Sequence, residues 1–246
     1  MTETPVGNSA PEFYTPQRAL VMVAHPDDIE FGMAGTVARW TEAGSHVTFC
    51  LITDGAAGSD DPNLSRAQLA ALRQDEQRAA AASLGVHDVI FLGHPDGMVV
   101  PSLELRRELV RVIRHVKPDT LVTMDPTVFF TANNTYINHP DHRYACQTVL
   151  DAVFPAAGNR KYFEELLDEG LEPHKVTYVY LLFTEKPTLH IDISAYFERK
   201  LDALMLHASQ IPDREEIGKF IGEWDHEAGK AIGVQYAESF RVLKIN

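Results

Sequence analysis

The feature that most constrains the fold is a repeated alternation of short apolar runs with longer segments of helical periodicity. Short apolar runs are typical of strands buried on both faces, and capped helical segments are typical of the layers that cover such strands. The predicted strands are residues 19–24, 46–52, 88–92, 120–124, 177–183 and 189–193. The predicted helices are residues 32–42, 65–84, 102–116, 140–153 and 195–209. Strict alternation over the first four strands predicts an α/β, Rossmann-like, doubly wound and mostly parallel sheet with helices on both faces.

The length and the apolar content favour one domain. The chain has 246 residues, of which 45% are hydrophobic, and this suffices for a single core. Residues 1–18 are rich in Pro, Thr and Glu and lack the basic start and apolar stretch of a signal peptide. We therefore expect a flexible N-terminal lead-in at 1–18 and a single catalytic domain at 19–246.

The charge balance limits the classes of partner. The formal net charge is −13, with 22 basic against 35 acidic residues. Such a surface repels phosphate backbones and anionic lipids, so we expect no nucleic acid partner. No apolar run reaches the roughly 18 residues that a membrane span needs. Two cysteines, Cys50 and Cys146, lie in apolar or helical patterns and predict buried reduced thiols in a cytoplasmic protein. The oligomeric state stays open, a homo-oligomer included.

Two short motifs carry the strongest chemical signal. Residues 24–28 (AHPDD) directly follow the first predicted strand, and residues 139–142 (HPDH) follow the fourth and open a helix. Together they supply three imidazoles and three carboxylates. Zinc accepts His nitrogen and Asp oxygen, and a catalytic zinc site uses three protein ligands and leaves one position open. In doubly wound sheets the first strand usually borders the strand that begins the second half, and the crevice there is the usual site. The pattern therefore predicts one metal site built from both motifs.

A third His-Pro-Asp sequence, at residues 94–97 (HPDG), follows the third strand. Asp and Pro both favour turns, so one such motif is weak. If the third strand is two positions from the first, it lies about 10 Å away, at about 4.8 Å per strand step. We interpret residues 94–97 as a turn, with Asp96 at the pocket rim.

The chain resembles the PIG-L/LmbE-like zinc-dependent de-N-acetylases, relatives of which act on N-acetylglucosaminyl lipids, thiol precursors and natural products. The shared motifs run over nearly the whole chain, and the two described above are the specific ones. The others are Thr53-Asp54-Gly55, Arg73-x-x-Glu76 with Leu84-Gly85, Pro95-Asp96-Gly97, and His207-x-Ser209-Gln210.

The resemblance implies zinc held by His25, Asp28 and His142, with Asp27 as general base. It also implies His139 as the acid that stabilises the oxyanion, oriented by Asp141. These roles agree with general chemistry. A carboxylate beside a ligand can accept the proton of the attacking water, and a nearby imidazole can protonate the leaving amine. The residues alone do not decide which of Asp27 and Asp28 binds the metal, and Fe²⁺ suits the same ligands.

The substrate contacts are less defined. Arg73 and Arg66 are candidates for binding sugar hydroxyls, although Arg73 with Glu76 also fits a helical i,i+3 ion pair. Asp96 and His207 are further candidates, and His207 with Gln210 fits a helix surface equally well. Aromatic residues in the loop before His139 fit sugar stacking or loop anchoring: Phe129, Phe130 and Tyr136. Some relatives carry a mobile tyrosine two residues before the acid histidine, where this chain has Ile137.

The resemblance, together with the predicted metal site, implies a hydrolase that removes an N-acetyl group from an N-acetylated amino sugar or its conjugate. One alternative is an amidase that cleaves a bulkier acyl group from a thiol–sugar conjugate. A second is a sugar- or nucleotide-binding module without catalysis, which the missing G-x-G-x-x-G disfavours. A serine hydrolase is disfavoured because no G-x-S-x-G is present.

Overall fold

The computed structural model describes residues 14–131, 135–211 and 213–245. Within these ranges the chain forms seven strands and six α-helices. The strands are β1 (Arg18–Val23), β2 (His46–Thr53), β3 (Asp88–His94), β4 (Thr120–Met124), β5 (Tyr178–Leu182), β6 (Leu189–Asp192) and β7 (Ala237–Lys244). The α-helices are α1 (Asp28–Glu42), α2 (Arg66–Ser83), α3 (Leu103–Val116), α4 (Pro140–Asp151), α5 (Phe197–Leu204) and α6 (Arg214–Lys230).

The strands form one sheet in the order β3-β2-β1-β4-β5-β7-β6. The pairings from β3 through β5 are parallel, and β7 is antiparallel to both β5 and β6. The chain runs outward from β1 to β3 and then crosses to β4 on the other side of β1. The predicted doubly wound, mostly parallel sheet is therefore confirmed, including the β1–β4 neighbourhood and the outer position of β3.

Two apolar cores lie on opposite faces of the sheet, as the alternation of side chains along a strand requires. Val21 and Phe49 belong to the core under α1, α5 and α6, where Trp40 meets Tyr180 edge-to-face at 5.8 Å. Leu20, Met22 and their neighbours on β2 belong to the core under α3 and α4. Burial on both faces explains why the central strands are continuous apolar runs.

The boundaries differ from the sequence prediction at both ends of the domain. Helix α1 begins at Asp28, four residues before the predicted start. Two residues of the predicted lead-in have ordered contacts: the ring of Tyr14 packs 4.9 Å from that of Tyr178, and Arg18 begins β1. The rest of that predicted segment, residues 1–13, lies outside the described residues.

The largest error concerns the C-terminal quarter of the chain. Residues 195–209 were predicted as the final helix, but α5 ends at Leu204, and α6 and β7 follow it. Ser209 cannot continue the helix because its backbone amide and hydroxyl both donate to the buried carboxylate of Glu76 at 2.7 Å. Helix α6 carries three glycines, which have low helix propensity, and this weakens its sequence signal.

None of the helices in the described ranges combines the length and the hydrophobicity that a membrane span requires.

Candidate metal centre and active site

The two motifs meet where β1 and β4 end side by side. The backbone turns into α1 after residues 24–28 and into α4 after residue 139, so both motifs lie at helix starts. His25 Nδ1 lies 3.1 Å from His142 Nε2, and His142 Nε2 lies 3.2 Å from Asp28 Oδ1. The third separation, from His25 Nδ1 to Asp28 Oδ2, is 3.6 Å. The two imidazole nitrogens therefore lie close together, and each lies close to one oxygen of the Asp28 carboxylate.

These separations fit a tetrahedral cation. Zinc–ligand distances of about 2.0–2.1 Å place neighbouring donors of a tetrahedron about 3.3 Å apart. The observed range of 3.1–3.6 Å brackets that value. Three such residues would supply three ligands to a zinc ion and would leave a fourth position for water or substrate. The carboxylate of Asp28 is further held by the backbone N–H of His25 at 2.7 Å.

The other nitrogen of His25 faces a second set of carboxylates. His25 Nε2 lies 3.1 Å from Asp96 Oδ1 and 3.4 Å from Asp141 Oδ2. His25, Asp96, His139 and Asp141 also form a group whose donor atoms lie within 4.8 Å of one another. A histidine that binds a metal through one nitrogen usually donates its other N–H to a carboxylate. Asp96 and Asp141 occupy that position relative to His25.

The charge around His25 favours a cation. Burial alone would lower the pKa of His25, but the carboxylates of Asp141, Asp28 and Asp96 raise it to about 12. The same imidazole lowers the pKa of Asp96, opposing the effect of burial on that carboxyl, to about 2. This excess of buried carboxylate around two imidazoles is the electrostatic environment that a divalent ion neutralises.

Asp96 lies deeper than its predicted place at the pocket rim. Its residue is only 5% exposed, and its carboxylate accepts the backbone N–H of Ala57 at 2.9 Å. Strand β3 is two positions from β1 as expected, but the loop that follows it runs back across the strand ends. The expected separation of about 10 Å is the distance between strands β3 and β1, and it does not limit how close the loop after β3 comes to the end of β1.

His142 has a partner that the sequence analysis did not identify. Its Nδ1 lies 3.1 Å from Asn138 Oδ1, which fixes the proton on Nδ1 and leaves Nε2 as a lone pair that faces His25 and Asp28. Asn138 precedes His142 by four residues, directly before the second motif. Its place at the end of a loop and beside a histidine motif was a usable signal.

Asp27 lies beside the potential ligand Asp28 but points elsewhere. Its backbone is in the left-handed region, with φ at 94°, and its carboxylate accepts a hydrogen bond from Arg73 Nη2 at 3.0 Å. Burial raises the pKa of Asp27 to about 7, the positive charge of Arg73 opposes that shift, and the charge of Asp28 reinforces it. The two neighbouring carboxylates therefore have different partners, Arg73 for Asp27 and the two histidines for Asp28.

His139 caps α4 and lies close to the other two histidines. Its Nδ1 accepts the backbone N–H of Asp141 at 3.1 Å, which leaves the proton of the neutral ring on Nε2. Its ring is 4.7 Å from that of His25 and 5.5 Å from that of His142. Burial lowers the pKa of His139, and the charge of His25 lowers it further.

The carboxylate of Asp141 has other contacts than the predicted one. It accepts the backbone N–H groups of Gly97 at 2.7 Å and Val99 at 3.1 Å, in addition to its approach to His25. Its contact with His139 comes from the backbone amide. The carboxylate therefore ties the loop after β3 to the metal centre.

The residues predicted to contact substrate are largely engaged with protein partners. Arg73 is only 4% exposed and donates to Gly55 O and Pro26 O as well as to Asp27. His207 is fully buried, and its Nε2 lies 3.2 Å from Glu30 Oε2. Arg66 donates to the backbone carbonyl of Asp96 at 3.2 Å. None of these three residues, nor Asp96, lines the main cavity, because each is turned toward the protein or its loops.

A cavity of about 930 Å³ opens beside the three potential ligands. Asp27, Asp28 and His142 line one part of it. Residues of α1, α6, β7 and the loops after β4 and β5 line the remainder, including Phe31, Phe183, Phe220 and Trp224. The aromatic residues on α6 were missed because the helix itself was not predicted, although Phe220 and Trp224 have the i,i+4 spacing of one helix face.

The aromatic residues in the loop before His139 were expected either to stack on a sugar or to anchor the loop, and they occupy different positions. The guanidinium of Arg143 lies 3.9 Å from the ring centre of Phe129, which packs beside Phe130 at 4.8 Å. Tyr136 lines the cavity, whereas Ile137 pairs with Phe130 through an isolated backbone bridge.

The two cysteines are buried and free, as predicted. Burial raises the pKa of Cys146 to about 12, so this thiol is not poised to act as a thiolate ligand.

Several known proteins that are similar to this chain are named as deacetylases. The family described as PIG-L, GlcNAc-PI de-N-acetylase, matches residues 20–153. A diacetylchitobiose deacetylase from Thermococcus kodakarensis is 34% identical over 229 residues, which cover 92% of this chain and 83% of that protein. The 1D-myo-inositol 2-acetamido-2-deoxy-alpha-D-glucopyranoside deacetylase of Thermobifida fusca is 30% identical, covering 79% of this chain and 84% of that protein. The solved N,N'-diacetylchitobiose deacetylase from Pyrococcus horikoshii superposes with a TM-score of 0.87 at 32% identity, covering 93% of this chain and 84% of that one.

Proposed function

The chain belongs to the PIG-L family of de-N-acetylases, and we propose that it hydrolyses the acetamide of an N-acetylated amino sugar with zinc held by His25, Asp28 and His142. It is a hydrolase of amide bonds, as its relatives are. The observation that carries the proposed ligand set is the convergence of His25 Nδ1, Asp28 Oδ1 and His142 Nε2 at the cavity.

This ligand set is favoured over the group with Asp96 and Asp141 for two reasons. Asp28 and His142 line the cavity, whereas Asp96 and Asp141 do not. The two inner carboxylates also accept backbone N–H groups, from Ala57 to Asp96 and from Gly97 to Asp141. They are therefore better placed to orient His25 through its Nε2 than to bind the ion themselves.

A zinc ion at these ligands would lower the pKa of a bound water toward about 7 and polarise the acetamide carbonyl. Asp27, on the cavity wall beside Asp28, would accept the proton of the attacking water. Arg73 holds the Asp27 carboxylate from its buried side, so the base is fixed without leaving the cavity.

His139 is proposed as the acid. With its Nδ1 accepting the Asp141 amide, Nε2 is the nitrogen that can present a proton to the leaving amine. The proton that Asp27 takes from the water would then pass to His139, so that the amine gains one proton and neither residue is left changed. The products are acetate and the free amino sugar, one water being consumed.

The test is an amine-release assay on N-acetylglucosamine and N,N'-diacetylchitobiose, with the protein as purified, after chelation, and after addition of zinc or Fe²⁺. We expect stoichiometric release of acetate and amine that is lost on chelation and restored by the metal. Elemental analysis then identifies the ion that the ligands retain. Release of a larger acid from a bulky acyl conjugate, without acetate release from either sugar, would favour the thiol–sugar amidase instead.

A further inference from the structure

Three fully buried polar side chains lie behind Asp27 and take no part in the proposed reaction. They are Glu30 on α1, Gln77 on α2 and His207 after α5. None of the three lines the cavity, although the cavity wall includes Asp27. Removing polar groups from water costs free energy unless they are paired, and a paired buried network rigidifies its surroundings. A buried row of this kind is expected to hold a specific part of the protein in place.

The three side chains form a row, which we call the polar row, that ends on the backbone of Asp27. The backbone N–H of Asp27 donates to Gln77 Oε1 at 3.0 Å, and Gln77 Nε2 donates to Glu30 Oε1 at 2.7 Å. The other oxygen of that carboxylate, Glu30 Oε2, lies 3.2 Å from His207 Nε2. The row therefore connects α1, α2 and the segment after α5 to the residue proposed as the general base.

The neighbours of Gln77 fix the orientation of its amide. A carboxylate only accepts hydrogen bonds, so the carboxylate of Glu30 requires the amide nitrogen of Gln77. The amide oxygen is thereby turned toward Asp27, where a backbone N–H needs an acceptor. Glutamine satisfies both neighbours at once, whereas a glutamate of the same size lacks the donor and a methionine lacks both groups.

The backbone of Asp27 needs this support because its conformation is strained. Its φ of 94° and ψ of −27° lie in the left-handed region, which disfavours residues other than glycine. Such conformations persist only where the surrounding structure holds them, and they cluster at functional sites. Here α2 holds the residue twice, since Arg73 binds the carboxylate at 3.0 Å and Gln77 binds the backbone N–H. Arg73 and Gln77 are four residues apart, so one face of α2 carries both contacts.

The polar row is itself fixed at its far end. Glu76, next to Gln77, accepts the backbone N–H and the hydroxyl of Ser209, both at 2.7 Å. This contact holds the segment after α5, which carries His207 two residues earlier, against α2. The row thus gives a role to residues of two motifs, 73–76 and 207–210, that do not line the cavity.

We infer that Gln77 is a positioning residue for the proposed general base, because its amide oxygen holds Asp27 in the left-handed conformation. Glu30 and His207 hold the amide in the orientation that this contact requires. A rotation of the Asp27 backbone would move its carboxylate relative to Asp28, which belongs to the proposed ligand set. Gln77 therefore acts on the reaction without touching the metal or the substrate. This inference rests on the proposed function.

The test first removes the donor from the polar row. Gln77→Glu keeps the size of the side chain but sets a second carboxylate against Glu30, so the contact with Asp27 is disturbed. We expect kcat on N,N'-diacetylchitobiose to fall about 10- to 100-fold, since small displacements of a reacting group have effects of this size. KM and zinc content should change little, because the cavity lining and the proposed ligands are untouched.

The double variant Gln77→Glu with Glu30→Gln exchanges the two groups. The introduced amide can donate to the introduced carboxylate, which again has an oxygen for the N–H of Asp27, so most of the lost kcat should return. Gln77→Met removes both hydrogen bonds without adding a charge, and the same fall in kcat is expected there if Gln77→Glu does not fold. Unchanged kcat in a folded single variant, or no recovery in the double variant, overturns the inference. Loss of zinc in parallel with activity also overturns it, since that result indicates general support of the metal centre.

Ser45→Ala is the matched control for lost stability. Ser45 is buried before β2, at the amino ends of the strands, and its hydroxyl donates to Pro16 O at 2.6 Å. The variant therefore loses a buried hydrogen bond far from the cavity. Its melting temperature should fall while kcat stays unchanged, whereas Gln77→Glu should lose kcat well below its own melting temperature. An equal loss of kcat in Ser45→Ala would assign the effect to stability and overturn the inference.

Amide hydrogen exchange gives a readout that does not depend on activity. In the unaltered protein the N–H of Asp27 should be protected, because its acceptor is fully buried. In Gln77→Met we expect it to exchange about tenfold faster or more, with the amide of Val21 in β1 unchanged. Equal acceleration at both amides indicates general loosening and overturns the inference. Protection of Asp27 that depends on Gln77, in a protein that deacetylates no sugar, refutes the proposed function and keeps the positioning contact.

Discussion

The metal centre and the aromatic platform are two halves of one cavity, but they are built in different ways. The aromatic platform is formed by three rings that line the cavity: Phe183, Phe220 and Trp224. The candidate metal ligands come from two compact motifs, residues 24–28 after β1 and residues 139–142 at the start of α4. The platform comes from single residues on α6 and after β5, and a buried ion cluster of Lys200, Asp225 and Glu238 joins α6 to α5 and β7. One half repeats a local pattern, and the other exists only after the C-terminal part of the chain has folded over the sheet.

This difference in construction indicates which part of the cavity serves the reaction and which part serves substrate preference. Reactive groups must meet within about 3 Å, and strand ends fixed by the ladder of a parallel sheet provide that precision. Contact with the rest of a substrate needs only an apolar face at about the right distance, which loosely placed aromatic residues can supply. Mutations in the two halves should therefore differ in kind: loss of turnover in one, and altered preference or stability in the other.

The largest effect is expected for His142→Ala. The variant loses one of the three proposed ligands, so zinc content after dialysis should fall well below one per chain and deacetylation should drop about a thousandfold or more. Elemental analysis and the acetate-release assay measure the two losses. His46→Ala, at an exposed histidine that begins β2, is the control. Full zinc occupancy in His142→Ala would remove this residue from the ligand set.

Asp27→Asn separates catalysis from metal binding within the metal centre. The amide keeps the size of the side chain but cannot accept a proton, so kcat should fall about 10²- to 10⁴-fold while zinc stays bound. Steady-state kinetics on diacetylchitobiose and metal analysis of the same sample are the measurements. Asp75→Asn, an exposed change on α2, controls for the substitution itself. Near-normal turnover in the Asp27 variant would assign the base elsewhere.

Asp141→Asn probes the support of His25. Removing the carboxylate that faces His25 Nε2 should weaken zinc binding about 10- to 100-fold, the usual cost of losing such a partner. Competition with a chelator of known affinity gives the zinc affinity. Asp96→Asn should weaken it in the same direction, since Asp96 faces the same nitrogen. An unchanged zinc affinity in both variants would show that His25 needs neither carboxylate.

The smallest effect is expected for Asp225, which lies in the buried ion cluster with Lys200 and Glu238. Burial raises the pKa of Asp225 from its ordinary 3.8 to about 7, Lys200 opposes the shift and Glu238 adds to it. A carboxyl with a higher pKa in the folded state takes up a proton on folding between those two values. Its contribution to stability is therefore present at low pH and is lost as the pH rises from about 4 to about 7.

Thermal unfolding between pH 5 and pH 8 tests this sign. We measure how far the melting temperature falls between pH 5 and pH 8. In Asp225→Asn the side chain cannot ionise, so this fall should be a few degrees smaller than in the unaltered protein. Asp202→Asn, an exposed change on α5, should reproduce the unaltered profile. An equal slope in both proteins would show that Asp225 is ionised throughout the range.

Much of the fold followed from local patterns. Continuous apolar runs identified β1, β2 and β4 because both faces of these strands are buried, and capping residues located α2 and α3: Ser65 and Ser102 each accept the amide predicted for an N-cap. Helix α6 and strand β7 escaped prediction because their sequences are mixed. Only one face of α6 is buried, and β7 has a half-exposed outer half. Such elements depend on packing more than on local preference.

The sequence by itself determined the chemistry of the site: which imidazoles and carboxylates follow β1 and β4, and that these strands are neighbours. Only the tertiary structure decided how the surrounding residues are used. It turned Arg73 and His207 inward to carboxylates, brought Asp96 and Asp141 to the far side of His25, and placed Trp224 in the cavity wall. The physical reason is the distance along the chain over which each feature is fixed. Motifs at strand ends are positioned by backbone geometry close by in the chain. The direction of a charged or aromatic side chain depends instead on partners up to about two hundred residues away, which no local pattern records.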